Sequence, residues 1–179
     1  MKSLDINKEN SVLVVVDEIK TTSPLMLKLV KEALDEGKLC YISVTKTYDY
    51  IQKVFEEHEM DISKIRFIDC ISHSFQHTDD NPNVDFVTAP RELDELAEAI
   101  KGAIDKGYSH FFLDSLSAMT GVVAAGNDHI KAFYDLFAEL LKGKDGRILF
   151  MCSFEDEEKL LIQEAMPVFE KIVHVHKQE

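Results

Sequence analysis

The chain has 179 residues, 45% apolar and 30% charged, and its 33 acidic side chains outweigh 20 basic ones to leave a formal charge of −13. A chain of this length buries roughly 70% of the surface its unfolded form exposes, so a single domain over residues 1–179 is expected, with no need of a disulfide or metal to hold it. The acidic balance excludes a nucleic-acid partner as an expectation, because phosphate backbones are bound by cationic side chains that release counterions.

No apolar run approaches the ~18 residues of a membrane span, and the opening MKSLDINKEN has no hydrophobic segment after its lysine. A cytoplasmic protein with no membrane partner is the expectation. Cys40, Cys70 and Cys152 stand in or beside apolar runs at unpaired spacings, which predicts buried thiols rather than disulfides.

The first element is a strand at residues 12–16, a short run of branched apolar residues. Ser23 and Pro24 then read as N-cap and first turn of a helix, with Met26, Leu29, Val30, Ala33 and Leu34 forming one buried stripe and Gly37 standing where a left-handed cap belongs. A second strand is predicted over 39–44, a weaker helical pattern over 49–59 and a third strand over 65–70. Residues 71–88 are long for a structureless connection, and 84–87 could be a further short element within them. Leu93, Leu96, Ala97, Ile100 and Ile104 mark a helix between Pro90 and Gly107, followed by a strand at 110–114. Ile130, Phe133, Tyr134, Phe137 and Leu141 mark another helix. A strand at 147–152, a weak helix at 156–166 and a strand at 171–176 complete the chain.

Continuous apolar strands alternating with helices mean that both faces of a parallel sheet are covered. The predicted fold is therefore α/β, a three-layer, doubly wound and mainly parallel sheet built by right-handed crossovers, with no internal repeat. Ligands of such sheets bind at the carboxyl ends of the strands. Here those ends hold Asp17, Glu18 and Lys20 after the first strand, Lys46 after the second, Asp114 to Ser117 after the fourth and Ser153 after the fifth.

The ordered elements resemble the single-domain core of the RecA superfamily, and within it the KaiC-like ATPases, which implies a RecA-like P-loop NTPase fold. The strings that carry the resemblance are VLVVVDEIKTTSPLMLKLVKEALDEGK, CYISV, DISKIRFID, TAPRELDELAEAI, HFFLDSLSAMTG and RILFMCS. HFFLDS is similar to the family's Walker B strand, so the resemblance implies that Asp114 would help to hold magnesium, with Ser115 beside it. It also implies rings in which nucleotide lies between subunits.

Two departures weigh against that activity. A phosphate-binding loop of the form G-x-x-x-x-G-K-[ST] needs glycines so that successive N–H groups converge on phosphate oxygens. Between Val16 and Ser23 there is no glycine; Lys20, Thr21 and Thr22 echo the end of the motif, while Asp17 and Glu18 replace small residues. Losing two or three hydrogen bonds to a charged group costs on the order of 5 kcal/mol, or thousands-fold in affinity. The family's paired glutamates after the second strand, which activate the attacking water, are also missing, since Ser43-Val44-Thr45-Lys46-Thr47 stands there.

The expectation is thus a non-catalytic pseudo-ATPase with a degenerate Walker A segment, no catalytic residue, no metal site and no cofactor. It would act through a protein partner or as a homo-oligomer. The alternative is a nucleotide- or anion-binding ATPase or sensor that holds ATP and magnesium through Lys20, Thr21, Thr22, Asp114 and Ser115 in a rebuilt loop.

Other patterns carry less. VLVVVDEI and HFFLDS could pose as the acidic strand ends of a phosphoryl-receiver domain, but there the phosphorylated aspartate ends the third strand and a lysine completes the pocket where Cys152 and Ser153 stand. His73 and His77 with Asp79 and Asp80 could present ligands to a divalent ion, although Asn81-Pro82 reads as a turn in a solvated loop. His174 and His176 share one face of the last strand by alternation. No G-x-S-x-G elbow or dinucleotide glycine fingerprint occurs, and the charge runs at 56–59 and 155–159 read as solvated helix faces.

Overall fold

The computed structural model describes residues 9–18, 23–72, 81–88, 93–120, 135 and 146–176. Seven strands form one sheet: β1 (Ser11–Val16), β2 (Leu39–Ser43), β3 (Ile65–Asp69), β4 (Val84–Phe86), β5 (His110–Asp114), β6 (Arg147–Ser153) and β7 (Lys171–Val175). Their order is β4-β3-β2-β5-β6-β1-β7, and every pairing is parallel. The described helices are α1 (Pro24–Glu36), α2 (Tyr48–Glu57), α3 (Leu93–Asp105), α4 (Leu116–Met119) and α5 (Leu160–Ala165).

From β1 the chain moves to β2, β3 and β4 in one direction across the sheet. It then returns through β5 and β6 to β7 in the other. Right-handed crossovers put the helices of the two legs on opposite faces, and the core divides accordingly. Val12, Val14, Tyr41, Phe67 and Phe112 pack with Met26, Leu29 and Val30 of α1 and Ile51 and Phe55 of α2. Leu13, Val15, Ile42, Leu113 and Phe150 pack with Leu96 and Ile100 of α3, Leu116 of α4 and Ile162 of α5. Alternate residues of each strand thus serve opposite layers, and β1, β2, β3 and β5 are buried throughout, as covered faces require.

Six of the seven strands coincide with the predicted runs, and the seventh, β4, falls inside the long connection at the position singled out within it. There Arg66, buried in β3, directs Nε to Asp85 Oδ2 at 2.6 Å and Nη1 to Pro82 O at 3.0 Å, which fixes the short edge strand. The predicted helix bearing Ile130 to Leu141 lies outside the described residues. The weak pattern at 156–166 resolves into a 3-10 turn (Phe154–Asp156), α5 and a second turn at Met166–Val168, where Pro167 interrupts the helix.

One expectation is corrected. Gly37 closes α1 with extended backbone, φ 177°, rather than a left-handed cap; its N–H reaches Ala33 O at 3.0 Å. Its smallness is what the site uses, because a Cβ there would lie 3.1 Å from the His110 ring. Gly146 is placed similarly, and a Cβ on it would come within 2.7 Å of the Ser109 carbonyl.

At this amino end of the sheet His110 Nε2 lies 3.3 Å from Glu36 Oε2, its Nδ1 lies 3.0 Å from Ser109 Oγ, and Arg147 Nη1 lies 3.1 Å from the same Glu36 oxygen. Burial pushes the imidazole pKa down from its usual value of 6.5, against the opposing pull of Glu36. A depressed folded pKa means that the unfolded chain takes up a proton first, so stability contributed above pH 6.5 is lost as pH falls from there through the folded pKa. His110→Gln should flatten the decline of stability below about pH 6.5, measured by urea unfolding across a pH series. An unchanged slope would count against it.

Candidate functional site at the carboxyl ends of the strands

In open α/β sheets a crevice forms where neighbouring strands send their chains to opposite faces. This sheet has two such places. Between β1 and β6 the chain leaves toward α1 on one side and toward α5 on the other, beside Asp17 and Ser153. Between β2 and β5 it leaves toward α2 and α4, and here Ser43 and Asp114 stand opposite each other in register.

Asp114 is 1% exposed, and its Oδ2 accepts the Tyr41 hydroxyl at 2.8 Å. The Tyr41 ring is fully buried, stacked on Phe112 at 5.3 Å with 6° between planes and meeting Phe55 edge-on at 5.3 Å. Burial first, and then the Asp114 carboxylate, hold the phenol pKa well above its usual 10.0, so the hydroxyl stays a donor. Ser115 follows across a cis peptide bond, is buried, and caps α4, its Oγ accepting Ala118 N–H at 3.4 Å. Ser117 Oγ accepts the Ser153 N–H at 2.7 Å, which ties α4 to the end of β6.

The neighbouring strand ends are equally ordered. Ser43 Oγ donates to Lys46 O at 2.6 Å and accepts Lys46 N–H at 3.2 Å, closing the turn into α2. Asp69, buried at the end of β3, accepts four donors: Tyr48 N–H at 2.6 Å, Ile71 N–H at 2.8 Å, Ser72 N–H at 2.9 Å and Ser72 Oγ–H at 2.6 Å. Lys46 is exposed, with Nζ 5.7 Å from the centre of the Tyr50 ring.

Of the residues singled out in sequence, Asp114 and Ser115 therefore sit together at the second crevice, and Asp17 and Glu18 emerge exposed from β1 beside the first. Lys20, Thr21 and Thr22 lie outside the described residues, as do His73, His77, Asp79 and Asp80. Ser23 does cap α1, accepting Met26 N–H at 3.2 Å. Tyr41 and Asp69 escaped the sequence reading. Asp69 ends IRFID as Asp114 ends HFFLD, and a phenol inside a buried strand requires a partner, so both carried a signal.

The three cysteines, all buried, are poor nucleophiles. Burial pushes the thiols of Cys40 and Cys70 far up and that of Cys152 to about 12, which keeps them protonated. Among the described residues no three His, Cys, Asp or Glu side chains group as a metal shell, and no helix is long and apolar enough to cross a membrane.

No protein-family model matches the chain, and no curated protein matches it in sequence. Among solved structures it is similar to a KaiC-like protein from the hyperthermophilic archaeon Pyrococcus horikoshii, with a TM-score of 0.66 at 9% identity over 96% of this chain and 74% of that one. The chain thus has an α/β fold like that of this KaiC-like protein. The strand order bears against a receiver domain too, since receivers place β1 beside β2, whereas β5 and β6 intervene here.

Proposed function

We propose that this protein is a non-catalytic RecA-fold module, a pseudo-ATPase that acts by binding another protein or a second copy of itself. The observation that carries the reading is the absence of glycine between Val16 and Ser23, with two carboxylates, Asp17 and Glu18, leading out of β1. Bulky side chains hinder the convergence of main-chain amides on a polyphosphate, and the acids add repulsion.

The donor set at β5 supports the same reading. A magnesium site built on Asp114 would use its carboxylate oxygens together with waters and phosphates, yet one oxygen already accepts a buried phenol and the Ser115 hydroxyl serves as a helix cap. Ser43 to Thr47 supplies no carboxylate for a general base. Titration calorimetry with ATP and magnesium is expected to give no heat of binding at micromolar nucleotide and no turnover. Micromolar binding with steady hydrolysis would refute the proposal.

A second reading has one feature in its favour: α1, 13 residues long and capped by Ser23, starts directly after the segment Lys20-Thr21-Thr22 at the carboxyl end of β1. In that reading Lys20, Thr21, Thr22, Asp114 and Ser115 hold a nucleotide or another anion. A ligand at 100 times its dissociation constant stabilises by ~2.7 kcal/mol. A thermal shift with nucleotide that disappears in Lys20→Ala would establish it, and no shift would remove it.

A further inference from the structure

β7 is the edge strand beside β1, and alternation places Ile172, His174 and His176 on one face of it. Both imidazoles are accessible, with side chains 41% and 64% exposed. Each is hydrogen-bonded to a carboxylate from a different element. His174 Nε2 lies 2.9 Å from Glu157 Oε1, in the turn after β6, and His176 Nδ1 lies 3.0 Å from Asp17 Oδ1, which leaves β1. The two rings are nearly parallel, at 19°, with centres 6.4 Å apart, and Phe154 meets the His176 ring edge-on at 5.9 Å.

A carboxylate bonded to one ring nitrogen holds the proton there and leaves the lone pair on the other. That is how metal-ligating histidines are oriented and made more basic. On this pattern Glu157 assigns the lone pair of His174 to Nδ1, and Asp17 assigns that of His176 to Nε2. The geometry points to a two-histidine site for a divalent transition-metal ion, zinc in the simplest case, on the outer face of β7, with Asp17 and Glu157 as the orienting carboxylates and water in the remaining positions.

Imidazole suits zinc, copper and nickel. At Zn–N distances of ~2.0–2.1 Å, two nitrogens sharing an ion stand about 3–4 Å apart, which exposed rings at this separation reach by side-chain rotation. The acidic neighbours Asp17, Glu157 and Asp156 favour a cation, although Asp156 is itself paired with Lys159. The site is separate from Asp114 and shares Asp17 with the segment that leaves β1.

Calorimetric titration of chelator-treated protein with zinc chloride at neutral pH tests this. We expect one site per chain, weakened at least tenfold in His174→Ala/His176→Ala and about tenfold in Asp17→Asn/Glu157→Gln. In the wild type, substoichiometric copper should broaden the ring resonances of His174 and His176 ahead of those of the other histidines. Absence of both heat and broadening at millimolar metal, or undiminished binding in the double alanine variant, would overturn the assignment.

Discussion

Asp69→Ala is expected to lower stability by about 4 kcal/mol and the melting midpoint by roughly 8–16 °C. The carboxylate collects the first free N–H of α2, from Tyr48, together with two N–H groups and a hydroxyl from the segment leaving β3. Hydrogen bonds to a charged acceptor contribute ~1.5–3 kcal/mol each, and buried donors left without a partner lose their solvation as well. The terms do not add fully, because some donors would recover a water. Asp69→Asn keeps the shape but turns an amide NH2 toward donors, so a loss of about 2 kcal/mol is expected. Denaturant midpoints of the two variants decide this. A loss in Asp69→Ala below about 1 kcal/mol, the level of an ordinary single hydrogen bond, would show that the four contacts do not act on a buried charge.

The second large effect is expected at Tyr41, where packing and polarity can be separated by two substitutions. Tyr41→Ala removes a fully buried ring that contacts Phe55, Phe67 and Phe112. Large-to-small aromatic changes in cores cost about 3–5 kcal/mol, and the variant also leaves the Asp114 oxygen without its phenol, so a loss of about 5 kcal/mol or more is expected. Tyr41→Phe keeps the ring stack and removes only the hydroxyl, for about 1–3 kcal/mol. Urea unfolding of both variants gives the comparison. If Tyr41→Phe were neutral, the Tyr41–Asp114 hydrogen bond would have no energetic role, and Asp114 would be held by its other surroundings.

Most of the fold was legible because burial writes itself into composition. VLVVV and the FFL of HFFLD are apolar on both faces, as a covered parallel strand needs, and the α1 stripe repeats at helical spacing. Strand order was not legible, since any pairing buries the same residues; it is fixed by registers such as Ser11 with Ile148 and Val12 with Lys171, between residues far apart in sequence. The Gly37 cap was misread because a glycine after a helix serves handedness more often than close approach, and only the folded chain brings the His110 ring against it.

The site was legible in part. Asp114 and Ser115 stood out as the polar end of an apolar strand, and they meet at the crevice between β2 and β5. The partner of Asp114 was hidden, because nothing in CYIS announces that its tyrosine lies 73 residues upstream of its acceptor and directly beneath it. Asp69 was hidden for a different reason. Its place at the end of IRFID marks it only as a polar strand end; its role is set by α2 docking over the end of β3, a tertiary event.

The pairing of β1 has a consequence for synthesis. Its hydrogen-bonding neighbours are β6, which starts at Arg147, and β7, which starts at Lys171. On an emerging chain the strand Ser11 to Val16 therefore has no ladder partner until β6 and β7 have left the ribosome. Long-range closure of this kind slows folding and lengthens exposure to association. With the first strand lying between β6 and β7, the centre of this end of the sheet closes only when both of those strands are in place.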